Sequence, residues 1–147
     1  MAKMVKVGMA DLNICHSPDA ITTLGLGSCV GVALYDKNTK TAGLVHVMLP
    51  DSTKVRQNQN RAKFADTGID YLIELLEKEG AKKSSLTAKI AGGAQMFAFS
   101  SSNDMLRVGE RNVEAVKDKL KKLGIRILAE DTGLNYGRTV EFYPETG

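Results

Sequence analysis

"CVGVALYDKNTKTAGLVHVMLP", Cys29 to Pro50, is the stretch on which the fold turns. Two apolar runs, Cys29–Tyr35 and Gly43–Leu49, flank the polar "DKNTKT". The simplest connection between such neighbours is an antiparallel hairpin. With the turn centred between Lys37 and Asn38, Tyr35 faces Lys40, Ala33 faces Ala42, Gly31 faces Leu44 and Cys29 faces His46. Directly opposed side chains on one face of a hairpin have Cβ atoms about 4.5–5.5 Å apart, so this register brings a thiol within reach of an imidazole. Gly31, Ala33 and Tyr35 share the Cys29 face, and Val30, Val32 and Leu34 point the other way. A slip of one residue would put the thiol and the imidazole on opposite faces.

Working outward, Val5–Met9 and Ala20–Leu26 also read as strands, broken by Gly, Pro, Asn and Asp. From Phe64 to Glu79, the positions Phe64, Ile69, Leu72, Ile73, Leu75 and Leu76 fit one helical face, with Gly80 at the stop. Leu86–Ala91 makes a short strand. A second helix spans about Asn112 to Leu123, its stripe formed by Val113, Val116, Leu120 and Leu123, and Gly124 ends it. Strands Ile125–Ala129 and Thr139–Tyr143 follow. The polar, aperiodic Asp51–Lys63 and "FSSSNDMLRVG" read as surface loops. Two main helices and about seven strands in mixed order predict a single-domain α+β layered sandwich over residues 1–147, a mixed sheet with helices on its faces.

The 147 residues suit one domain, with 43% hydrophobic and 25% charged residues. No apolar run is long enough to span a membrane, and the first twenty residues lack the apolar core of a secretory signal, so a cytoplasmic protein is expected. Cys15 and Cys29 cannot make a disulfide framework and fit a reducing compartment. The net charge of +3 comes from lysines on helix faces such as "VKDKLKKLG", and four Phe, four Tyr and no Trp leave little to stack bases on. Nucleic acid is therefore not an expected partner.

The residues leave two readings of the Cys29/His46 pair open, a catalytic dyad or two members of an ordinary core. Gly25, Gly27 and Ser28 let the chain bend and expose N–H groups near the sulfur, as an oxyanion site requires. Cys15, His16, Cys29 and His46 fit no familiar metal-ligand spacing. "GLGSC" lacks the lysine and following hydroxyl of a phosphate loop, and "GGAQMF" lacks the third glycine of a dinucleotide turn. No metal or cofactor is expected. The absence of a CxxC pair argues against a redox switch.

"TLGLGSC", "GLVHVMLP", "KIAGGAQMF", "GERNVEAVKDKL" and "AEDTGLNYGRTVEFYPETG", in this order, resemble the chemoreceptor glutamine deamidases of the CheD family over nearly the whole chain from Val5 onward. The resemblance implies a cysteine hydrolase that converts glutamine to glutamate on methyl-accepting chemotaxis receptors and binds CheC, a phosphatase of the response regulator. It places the nucleophile on Cys29, the histidine on His46 and a third member on Thr23, with Cys29 as a thiolate beside protonated His46. Gly27, Ser28, Gly92 and Gly93 would shape the site or its oxyanion hole. The family usually has a second glycine where this chain has Leu134. The competing reading is a non-catalytic adaptor that only holds receptor or CheC.

Overall fold

A computed structural model describes residues 2–56, 59–95 and 107–147. Its strands are β1 (Met4–Val7), β2 (Leu12–His16), β3 (Ala20–Leu26), β4 (Val30–Asp36), β5 (Thr41–Val47), β6 (Leu86–Gly92), β7 (Arg126–Thr132) and β8 (Arg138–Phe142). Its helices are α1 (Ala65–Lys78) and α2 (Val108–Leu123). A five-stranded mixed sheet runs β2-β5-β4-β6-β7 and a three-stranded sheet runs β1-β3-β8. The expected α+β layered architecture is the one observed.

The layers follow from alternation in β4 and β5. Val30, Val32, Leu34, Val45 and Val47 join one apolar cluster with Ile69, Leu72 and Leu76 of α1 and Val116 and Leu120 of α2. The other face contributes Ala33, Ala42 and Leu44, which pack with Ile21 and Phe142 of the small sheet. Strands buried on both faces read as continuous apolar runs. Each fully buried Leu, Ile or Val adds about 1.5–3 kcal/mol relative to exposure, so the helix-side cluster dominates the packing energy. Gly124, at φ 73°, ends α2 as expected and donates to Leu120 O and Lys121 O.

Three expectations need correction. The hairpin exists, but Val30 pairs with Val47, Gly31 with His46, Ala33 with Leu44 and Tyr35 with Ala42, a slip of two residues. The loop holds four residues between Asp36 and Thr41: Asn38 N donates to Asp36 Oδ1 at 2.9 Å, and Lys40 takes φ 53°. A side-chain turn thus displaces the tighter one. A slip of two preserves the face of every side chain, so the partition of Val30, Val32 and Leu34 from Gly31, Ala33 and Tyr35 stands. Second, Leu12–His16 is a further strand, antiparallel to β5, with Leu12 and Ile14 against the helix-side cluster, Cys15 in the inter-sheet cluster, and Asn13 and His16 exposed. Third, the described parts of Asp51–Lys63 are partly packed, with 3₁₀ turns at Ser52–Lys54 and Arg61–Lys63 and with Ser52 and Ala62 buried, while residues 57 and 58 lie outside the described residues. Residues 99–105 of "FSSSNDM" lie outside the described residues.

Candidate active site

The ends of several strands converge where "GLGSC" enters β4. Cys29 is 7% exposed, and His46, on β5, is fully buried. Gly31 stands opposite His46, so Cys29 is its diagonal neighbour on that face rather than its direct partner as expected. Diagonal pairs lie about 7–8 Å apart, within reach of a ring and a thiol. An added Cβ at Gly31 would stand 3.1 Å from Leu26 Cδ1 and 3.5 Å from Thr23 Cγ2. The missing side chain lets the β3 residues close over this face.

Thr23, on β3 of the other sheet, reaches across the layer. Its Oγ1 lies 2.7 Å from His46 Nδ1 and 2.8 Å from Val7 O. A hydroxyl has one proton, and a carbonyl can only accept, so the proton goes to Val7 O. Thr23 Oγ1 then accepts from His46 Nδ1–H. In neutral His46 the lone pair is on Nε2, and that atom is buried with no hydrogen-bond partner. The dyad is not closed, since Nε2 accepts nothing from Cys29.

Burial sets the protonation. Desolvation raises the Cys29 thiol above its ordinary 9.0, with its own N–H partly opposing that by favouring the thiolate. The same effect lowers His46 below 6.5. The resting pair is thus thiol and neutral imidazole, because each charged form loses hydration in this interior. Burial thus disfavours both members of the thiolate–imidazolium pair expected from the sequence. Cys15 faces the inter-sheet core, 4% exposed, with its thiol pushed up to about 11 by burial and by Asp19.

The Gly92–Ala94 loop packs directly behind Cys29. Gly93 N donates to Cys29 O and Ala94 N to Gly27 O, both at 2.8 Å. Gly92, at φ 109°, has no room for a side chain: an added Cβ would sit 2.2 Å from Cys29 O. Gly27 N donates to Gly25 O at 3.0 Å, so the N–H groups of Gly27 and Gly93 are already committed. Those of Ser28 and Cys29 donate to no backbone carbonyl among the described residues. Leu134, in the position expected to favour glycine, takes φ 59° and accepts from Gln95 N at 2.8 Å. Beside the loop is a cleft of about 450 Å³ lined by Gly93, Gln95, Val113 and Leu134 among others. A second cleft of about 390 Å³, around Tyr35, Lys89 and Phe142, lies at the far end of β4 from Cys29.

One site neighbour was not singled out in the sequence. Asn112, fully buried on α2, donates from Nδ2 to Ser28 O at 3.0 Å and to Met48 O at 2.9 Å. An amide inside the apolar stripe of an amphipathic helix was the available signal. Among the described residues no helix is long and apolar enough to cross a membrane.

The family model described as CheD chemotactic sensory transduction matches residues 48–147. The probable chemoreceptor glutamine deamidase CheD of Lachnoclostridium phytofermentans is 71% identical over 146 residues, covering 99% of this chain and 91% of that protein. The chemoreceptor glutamine deamidase CheD of Halalkalibacterium halodurans is 61% identical over 147 residues, with 99% and 91% covered. That of Bacillus subtilis is 53% identical over 146 residues, with 99% and 88% covered. With a family model over residues 48–147 and relatives this similar along almost all of its length, the chain belongs to the CheD family.

Proposed function

We propose that this protein is a chemoreceptor glutamine deamidase in which Cys29 is the nucleophile, His46 the proton carrier and Thr23 the residue that orients it. The observation that carries this reading is the committed Thr23 hydroxyl. By donating to Val7 O it can only accept from His46 Nδ1, which leaves a desolvated lone pair on Nε2, on the face that Cys29 shares. A buried acceptor without a partner is costly and is retained where a proton must be received.

As a glutamine carboxamide enters, the Cys29 proton passes to His46 Nε2 and the sulfur bonds to the carboxamide carbon. The N–H of Ser28 is the donor for the oxyanion, whereas the N–H of Cys29 faces its own sulfur and Gly92 and Gly93 shape the wall behind the nucleophile. The imidazolium returns its proton to the nitrogen, the C–N bond breaks, and ammonia departs, leaving a thioester. Water then gives a proton to Nε2 and its oxygen to the carbonyl carbon. His46 Nε2 returns that proton to the sulfur as the C–S bond breaks, which leaves glutamate on the receptor and restores the thiol. Thr23 carries no charge to stabilise imidazolium, so it orients more than it drives.

Chemoreceptors as substrate follow from the names of the relatives, and their methyl-accepting class and CheC as a binding partner from the family resemblance. The described parts of Asp51–Lys63, residues 51–56 and 59–63, are proposed to grip a receptor helix. The second reading, an adaptor with a structural Cys29, is favoured by the unclosed dyad and the raised thiol. One comparison separates them: deamidation of receptor cytoplasmic domains, mapped by mass spectrometry, and receptor or CheC binding, both measured on folded Cys29→Ala. Abolished deamidation with retained binding supports the enzyme, and undiminished deamidation removes Cys29 from the chemistry.

A further inference from the structure

We infer that Asn112 is a positioning residue, a two-pronged brace that holds the chain ahead of Cys29 against the chain beyond His46; this rests on the catalytic reading of those two residues. The β4–β5 ladder ends at the pair Val30–Val47. The next pair in that register is Cys29 and Met48, where no ladder remains to stop the strands from splaying. At this point the Asn112 amide enters from α2. Its Nδ2 donates one proton to Ser28 O at 3.0 Å and the other to Met48 O at 2.9 Å. Both acceptors are carbonyls, so the amide nitrogen, not the oxygen, must face them. One side chain thereby replaces the missing rung of the ladder, one residue from the nucleophile and two from the histidine.

The brace is anchored firmly. One turn earlier on the same helix, Gly109 lies so close to the loop behind Cys29 that an added Cβ would stand 2.4 Å from Ala94 O and 2.7 Å from Gly93 O. That loop in turn donates from Gly93 N to Cys29 O. The first two turns of α2 thus touch both walls of the Cys29 bend. Asn112 Oδ1 is buried with no partner. An interior chosen for packing alone would favour an apolar side chain over an amide with an orphaned acceptor. The two donors are the reason for an amide here, and they fix the Cys29–His46 spacing rather than touching substrate.

The test uses Asn112→Ala, Asn112→Ser and Gly109→Ala in the full chain. Two readouts are taken on each variant: steady-state deamidation of receptor cytoplasmic domains, and the pH profile of iodoacetamide alkylation at Cys29 with Cys15 as internal reference. Asn112→Ala should lower kcat on the order of 10- to 100-fold, as small misplacements of reacting groups do, with KM close to wild type. Its Cys29 alkylation profile should shift to lower pH, because strands that splay at the Cys29 bend admit water and relieve the burial that holds the thiol up. Asn112→Ser keeps one donor and should recover part of both. Gly109→Ala, which lifts the helix without removing the amide, should move both readouts in the same direction as Asn112→Ala. A folded Asn112→Ala that melts at lower temperature yet keeps wild-type kcat and alkylation profile would overturn the brace, as would variants that all fail to fold, which would make the contact a requirement of the fold. The alkylation readout needs no deamidation, so undiminished activity in Cys29→Ala would end the catalytic reading and leave the brace separately decidable.

Discussion

Thr23→Val tests the central feature of the proposed site, because valine keeps the shape of threonine and removes its hydroxyl. Two buried groups lose their partner at once, His46 Nδ1–H and Val7 O, both joined to Thr23 Oγ1 within 2.8 Å. Leaving a buried polar group unpaired costs about 1–3 kcal/mol, so the two groups predict a loss of roughly 2–6 kcal/mol. That is within the 5–15 kcal/mol of a typical domain, and the variant should still fold. The effect on rate has a different origin. Without the hydroxyl, nothing holds the proton on Nδ1, and the tautomer with Nε2–H cannot accept from Cys29. A drop in kcat of about one to two factors of ten is expected, as for loss of an uncharged orienting group of a general base. Thr23→Ser should restore most of it. Ammonia release gives the rate, and ¹⁵N NMR of the His46 ring gives the tautomer. Wild-type kcat in folded Thr23→Val, or an Nε2–H tautomer in the unmodified protein, would refute the reasoning.

The remaining expectations concern the same neighbourhood. Burial holds His46 below 6.5, so the unfolded chain takes up a proton that the folded one refuses, and stability should fall as pH drops through and below about 6.5. The slope from this group is limited to about 1.4 kcal/mol per pH unit, and His46→Gln should remove it in melts recorded across pH. The Cys29 thiol is raised, so its contribution has the opposite sense: stability should decline above pH 9.0 as the unfolded thiol ionises, and less so in Cys29→Ala. Alkylation should be faster at Cys29 than at Cys15, whose thiol stands at about 11, and should climb with pH instead of levelling at neutrality. Gly92→Ala forces a methyl to 2.2 Å from Cys29 O at φ 109°, so deamidation should be lost even where circular dichroism shows folded protein. Leu134→Gly relieves a φ of 59°, worth about 1–2 kcal/mol, against about 0.5–1 kcal/mol of added chain entropy. Its melting temperature should rise slightly.

What could be read from the sequence and what could not divide along a physical line. Helices α1 and α2 were legible because their apolar positions repeat locally and glycines mark their ends, information that lies within a few residues. Strand β2 was not, because its Asn13 and His16 look like loop residues until β5 is beside them. The hairpin shows the distinction most sharply. Its parity was fixed by alternation, but its register depended on how many residues the turn holds, and the Asp36 side chain and the φ of Lys40 decided that. Parity alone put Cys29 and His46 on one face. The two-residue slip then changed the chemistry: with Gly31 opposite His46, thiol and imidazole meet on a diagonal, and no hydrogen bond joins them in the resting site. A directly opposed pair would meet across one rung, whereas this diagonal pair shares no hydrogen bond and burial favours the neutral form of each member. Groups far apart in sequence, Thr23 from the other sheet and Asn112 from α2, therefore have to fix the geometry that the hairpin does not. Thr23 could be assigned from family resemblance, since its motif is contiguous with Cys29. Asn112 could not, because nothing within its own helix says which carbonyls it reaches.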